Sequence, residues 1–113
     1  MSDPDRIRLE HMLAAAQEAV QFLSERQQES PAAERMTALA VIKCLEIVGE
    51  AASKVSVETR TSLPLIPWAD IVGMRNRLIH GYFEVDMSLV WDTAGTDLPP
   101  LITVLEAILE SRQ

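Results

Sequence analysis

From Pro31 to about Thr59 the chain carries more apolar residues than one helical stripe can hold. Val41, Leu45, Val48, Ala52 and Val55 step by three and four and mark one face, while Leu39, Ile42 and Ile47 spread beyond it. A helix apolar over most of its girth must be buried on several sides, so the rest of the chain has to surround this segment. With only 113 residues to do so, part of that surface is expected to meet a second copy, which predicts a homodimer. Ser30 and Pro31 open the helix, the serine as cap and the proline in the first helical position. Gly49 costs about 1 kcal/mol relative to Ala inside a helix and implies that another backbone passes close by.

The flanking segments have the same period. A first helix is expected from Asp3, with Asp3 as its cap, Pro4 at its first position and Asp5 complementing the dipole. Leu9, Leu13, Ala16, Val20 and Leu23 form its stripe, widened by Met12 and Ala19, before the polar run Glu25 to Glu29 ends it. His11 lies beside the stripe and reads as a surface or packed histidine. Thr61 to Pro67 is a connector, and Pro67 then starts a third helix with Trp68, Ile71, Val72 and Leu78 on its buried side. Gly81 is its stop signal. Asp86 caps a short helix, Gly95, Asp97 and Pro99-Pro100 break or bend the chain, and Leu101, Val104, Leu105, Ile108 and Leu109 form a last amphipathic segment. No strand-type alternation persists. The expected fold is all-α, an up-and-down bundle of four to five helices in a single domain spanning residues 1–113.

Net charge is −7, which argues against a broad phosphate-backbone binder and leaves only focused cations for any nucleic-acid contact. The lone Cys44 lies in an apolar run and reads as a buried, inert thiol; no Cys/His spacing suggests a metal site, and no cofactor is implied. The charged start MSDPDRIRLE is not a signal peptide, and no apolar run has membrane-spanning length, so a soluble cytoplasmic protein is expected.

The chemistry concentrates in Pro67 to Phe83, PWADIVGMRNRLIHGYF, where Arg75, Asn76, Arg77, His80 and Tyr82 fall within eight residues. Arginine offers a fixed fork of donors suited to phosphate. Histidine gives and takes protons near neutral pH. Together they suffice for RNA cleavage without metal, His80 moving a proton at the ribose 2′-OH or the leaving oxygen and Arg75 stabilising charge on the phosphate. Five residues separate the two, roughly 140° of rotation on a straight helix. A turn at Gly81 would bring His80 and Tyr82 round toward Arg75. The bland alternative is that Arg, Asn and His near a helix C-terminus act as cap and dipole partners. On the second helix one polar line remains, Lys43, Glu46, Glu50 and Ser53 or Lys54. It is either a solvated stripe or a row whose carboxylates face and orient the arginines of the central stretch.

GMRNRLIHGYF resembles the HEPN signature, and more closely the HepT-like branch with its Arg-x4-His-x-Tyr motif, at Arg75, His80 and Tyr82. LEIVGEAASKVS, IPWADIVGMRN and VDMSLVWDTAGTDLPPL are similar to the same family, so the resemblance runs from about Val41 to Leu109, with a looser match at Arg8 to Leu13. It implies a HEPN-like helical bundle that dimerises with the Arg/His motifs at a shared cleft. It also implies a metal-independent ribonuclease toxin acting on RNA, with Arg75 and His80 catalytic. The implied partner is a minimal nucleotidyltransferase antitoxin that transfers AMP to Tyr82. Asn76, Arg77, Glu46 and Glu50 would be supporting residues. The segment between the first two helices is shorter than in many relatives. Two other readings stay open: a non-catalytic HEPN module that binds nucleotide or docks the nucleotidyltransferase, and a plain helical assembly module.

Overall fold

A computed structural model describes residues 1–80 and 86–111 of the chain. The described residues form six α-helices and no strand: α1 Asp3–Ser24, α2 Pro31–Ser53, α3 Val57–Ser62, α4 Trp68–His80, α5 Met87–Asp92 and α6 Leu98–Glu110. A π-helical turn, Thr93–Asp97, joins the last two. The fold is the all-α bundle that the periodicity predicts. The central helix α2 packs on α1 and α4, and α1 packs in turn on α6. Among the described residues no helix is long and apolar enough to cross a membrane.

The core follows from the helical repeat. Leu9, Met12, Ala16 and Ala19 of α1 have no exposed surface, nor have Val41 and Ala52 of α2, Val90 of α5 and Leu105 of α6. Leu13, Val20 and Leu23 flank the core only partly buried, so the apolar stripe of α1 centres on positions 9, 12, 16 and 19. The alanines there let α1 and α2 lie close. Cys44 is buried, and burial together with the nearby Glu18 raises its thiol pKa, consistent with an inert side chain. Arg26, just past α1, donates from Nε and Nη2 to Glu34 Oε1 at 3.0 and 2.6 Å. Its guanidinium also lies 4.2 Å from the centre of the Trp91 ring, fixing the α1–α2 connection against α2 and α5.

Three boundaries differ from expectation. Ser2, not Asp3, caps α1, its hydroxyl accepting from the Asp5 N–H at 3.2 Å. The second helix does not continue to Thr59. It ends at Ser53, where the Lys54 N–H closes a tight turn onto Ala51 O at 3.1 Å, and Ser56 caps the separate helix α3. The chain does not break at Gly95–Pro100 either. Backbone angles stay helical through Asp97 and Leu98, and the Leu98 N–H reaches Thr93 O, so a π turn carries the chain into α6. Pro99 and Pro100 then occupy the first turn of α6, where missing N–H groups are tolerated.

Asp5 explains the break after α2. Rather than facing solvent at a helix end, it is 5% exposed and reaches across to α3. Asp5 Oδ1 accepts from the Ser56 N–H at 3.0 Å, and Oδ2 accepts from the Ser56 and Thr59 hydroxyls, both at 2.6 Å. Ser56 therefore caps α3 and anchors it to the start of α1, a geometry that a continuous helix would not permit. The Ser56 hydroxyl first, then the Thr59 hydroxyl and the Ser56 N–H, lower the Asp5 carboxyl from 3.8 to about 2, against the opposing effect of burial. Because the folded-state value is depressed, the stabilisation is complete above the unfolded-state value near 3.8 and is lost as pH falls through about 2. Asp5→Ala should destabilise the neutral-pH protein by about 2 kcal/mol, the scale of hydrogen bonds to a charged acceptor. In urea melts, the gap between variant and parent should shrink between pH 4 and 2, a range set by those two values.

Candidate active site

Arg75 is held in place by an absent side chain. A Cβ built on Gly49 of α2 would lie 2.1 Å from Arg75 Cβ and 2.7 Å from its Cγ, with Ile71 O at 3.2 Å. The backbone of α4 therefore crosses α2 directly over Gly49, the close approach that a glycine inside a long helix implies. The start of α4 is pinned as well, by Trp68 Nε1 donating to Leu63 O at 3.1 Å. Met74 and Leu78 enter the core, with Ile71 and Val72 partly buried against it.

This crossing brings Arg75 to Glu50, one residue beyond the glycine. Arg75 Nη2 donates to Glu50 Oε2 at 2.5 Å, and Nη1 donates to Asn76 Oδ1 at 2.8 Å. The other Glu50 oxygen lies 3.2 Å from Lys54 Nζ. Lys54 and Arg75, through hydrogen bonds and charge, hold the Glu50 carboxyl below its usual range, so it stays ionised at neutral pH. Arg75 Nε is buried and has no partner among the described residues. Only the terminal nitrogens can serve a ligand, and each retains an N–H not used by Glu50 or Asn76.

Arg75 borders an open groove of about 330 Å³ lined by Arg8 and His11 of α1, by Lys43, Glu46 and Glu50 along α2 and Lys54 just past its end, and by Arg75 itself. The polar line on the second helix is therefore a wall of this groove, with Lys54 as its last member. Of its two carboxylates Glu50 meets Arg75; Glu46 lies 4.0 Å from Lys43 instead.

Arg77 goes elsewhere. Two residues further along α4, about 200° around the axis, it lines a second cleft with Met74, Leu89 and Leu98 on the side of α5 and α6. The structure does not bring Arg77 to Arg75. His80 is the last described residue of α4, which is helical up to that position. The expected stop at Gly81 and the site residue Tyr82 lie outside the described residues.

Sequence reasoning set His11 aside as a surface or packed histidine, yet it shares the groove with Arg75. Arg8 and Lys54 also line it. Their three-residue and four-residue spacings give the face each occupies on its own helix, but not that the faces meet.

The structure defines an all-α bundle with an arginine fixed at the edge of a cationic groove, and the chain's relatives say which helical family this is. The sequence profile described as Ribonuclease HepT-like matches residues 12–108. The chain is 44% identical over 71 residues to "Putative RNase MJ0125" of Methanocaldococcus jannaschii, covering 63% of this chain and 61% of that protein. It is 41% identical over 68 residues to "Probable ribonuclease HepT" of Thermococcus cleftensis, covering 60% and 62%. It is 30% identical over 105 residues to "Putative RNase TTE0752" of Caldanaerobacter subterraneus, covering 93% and 94%. In several of these matches, MJ0125 among them, the chain spans about six-tenths of the length of the curated relative. No solved structure matches the chain significantly. The protein belongs to the HepT-like family.

The crossing at Gly49 should tolerate no added methyl. Gly49→Ala improves intrinsic helix propensity by about 1 kcal/mol, but the overlap with Arg75 Cβ forces α4 outward, a cost of about 1–3 kcal/mol or more for overpacking. Urea unfolding should show net destabilisation, and the Glu50–Arg75 contact should be lost.

Proposed function

We propose that the protein is a metal-independent endoribonuclease of toxin type, with Arg75 and His80 as its catalytic residues. The observation that carries this reading is the clamp on Arg75. Glu50 and Asn76 hold its guanidinium at the edge of an open groove with donors to spare. A phosphate there would meet a preorganised cation that needs no rearrangement as charge develops. Family membership and relatives named as ribonucleases support the same chemistry.

In the reaction, the 2′-oxygen attacks the adjacent phosphorus and the 5′-oxygen leaves. His80 accepts the 2′-OH proton or donates a proton to the departing oxygen, and Arg75 balances the charge gathering on the non-bridging oxygens. Glu50 is a positioning residue that fixes Arg75, and Asn76 assists it; Glu46 contributes to the charge of the groove, whereas Arg77, in the other cleft, has no part in this reading. One His80 per chain can fill both proton roles in turn, or two copies in a homodimer can each lend one.

The regulatory partner in this reading is a minimal nucleotidyltransferase antitoxin that transfers AMP to Tyr82. The added phosphate would compete with RNA for the arginine.

The deciding experiment is cleavage of RNA by purified protein in EDTA beside an equally pure His80→Ala preparation. Cleavage by the first and none by the second is expected. Glu50→Gln should lower kcat about 10–100-fold, as expected for loosening one preorganised electrostatic donor. Tyr82→Phe should remain toxic yet escape neutralisation. Full silencing of that variant by the partner would instead point to occlusion. Absence of cleavage by protein of unmodified mass would favour a non-catalytic nucleotide-binding or docking module, a reading the net charge of −7 also fits.

A further inference from the structure

The groove beside Arg75 holds more positive charge than the proposed reaction uses. Arg8, Lys43, Lys54 and Arg75 are four of the ten Lys and Arg residues of a chain whose net charge is −7, and one of its two histidines, His11, joins them. Against them stand only Glu46 and Glu50. Glu50 is engaged by Lys54 and Arg75. Glu46 meets Lys43 only at the 4.0 Å limit of an ion pair. Arg8 makes no ion pair among the described residues. Such a concentration has no packing role: Lys43 and His11 are exposed and Arg8 is half-exposed, away from the core. It makes one cationic track on an acidic molecule, the arrangement that steers and holds a polyanion.

The spacing says what kind of polyanion. Lys43 lies seven residues from Glu50 along α2, about 10 Å at 1.5 Å per residue, and Glu50 is the residue that grips Arg75. Arg8 belongs to the Arg75 end, because Asp5, one turn before it on α1, meets Ser56 just past α2; a phosphate at Lys43 would be a neighbour of the phosphate at Arg75, not the same one. Two separated anion positions along one groove suit a strand of linked phosphates better than a single phosphate.

We infer that the groove between α1 and α2 is a subsite for the phosphodiester backbone of a single-stranded RNA, with Lys43 holding a phosphate adjacent to the one that Arg75 and Arg8 hold. His11, about one turn along α1 from Arg8 on the side toward Lys43, lends a hydrogen-bond donor to the strand. The identity of the strand rests on the ribonuclease reading; the site itself does not, because binding is measurable without cleavage.

The test uses the full chain carrying His80→Ala, so that RNA stays intact, and a fluorescently labelled single-stranded RNA titrated in EDTA at a series of salt concentrations. Each phosphate contact on a single strand contributes about 0.7 to the slope of log affinity against log salt. Adding Arg8→Ala and Lys43→Ala together should reduce that slope by about 0.7, the loss of the one phosphate at Lys43, and weaken binding. Glu46→Gln should tighten it. Arg35→Ala, on an exposed part of α2 outside the groove, should leave the slope unchanged. With His80 present, the double variant should raise KM while kcat changes little.

An unchanged slope in the double variant would overturn the subsite. So would an equal drop in Arg35→Ala, which would mark a general charge effect, or no measurable RNA binding at all. A reduced slope without cleavage by the parent protein would keep the groove and remove the nuclease. Cleavage with an unchanged slope would do the reverse.

Discussion

The contact on which the site depends is the meeting of α2 and α4 at Gly49, where a hydrogen stands in place of a methyl group. Helix axes ordinarily stay apart by the thickness of their side chains. Here the two backbones come near enough for the Cβ of Arg75 to sit in the space a side chain at position 49 would fill. That proximity puts the guanidinium within reach of the next residue, Glu50, and so couples a packing feature to an electrostatic one. The energy lost by placing glycine in a helix is offset by an arginine whose direction is set before any ligand arrives, the condition under which charge stabilisation is most effective.

The pair also shows how an acidic molecule can present a cationic site. Carboxylates elsewhere on the surface give the net charge, but within the groove Glu50 is consumed by two cations at once. Its ionised form is stabilised by the groups it neutralises, so the carboxylate orients the arginine and leaves surplus positive charge in the groove. Counting charges over the whole chain hides this, because the excess depends on which helix faces meet.

What could be read from the sequence was what local chemistry dictates. Ser30 caps α2 through the Ala33 N–H, and Asp86 caps α5 through the Ser88 and Leu89 N–H groups, as residue types and spacing indicate. The burial of Val41, Leu45, Val48 and Ala52 follows from their period, and Gly49 announced its neighbour. Features set by distant partners were hidden. Nothing between Ser53 and Ser56 stops a helix by itself; the interruption is imposed by Asp5, fifty-one residues before Ser56. The polar line from Lys43 to Lys54 supported two readings until α4 was placed beside it. His11 could not be connected to Arg75 because α1 contributes to the groove only through tertiary packing. Arg77 fell the other way, since two steps along a helix nearly reverse direction.

The π turn at Thr93–Asp97 lets Pro99 and Pro100 enter a helix that hardly pauses. A wide turn of this kind amounts to one inserted residue, and it works as a phase adjuster. Upstream, Val90 points inward from α5; downstream, Leu98, Leu101, Leu105 and Leu109 point inward from α6. Without the wide turn, the eight steps from Val90 to Leu98 at about 100° each would leave these two sets about 80° out of step. Either the C-terminal leucines or Val90 would then swing toward water. The bundle therefore has a built-in register between its two halves: one residue lost within 93–97 is absorbed when the turn closes to α geometry, whereas one added there throws the halves out of step.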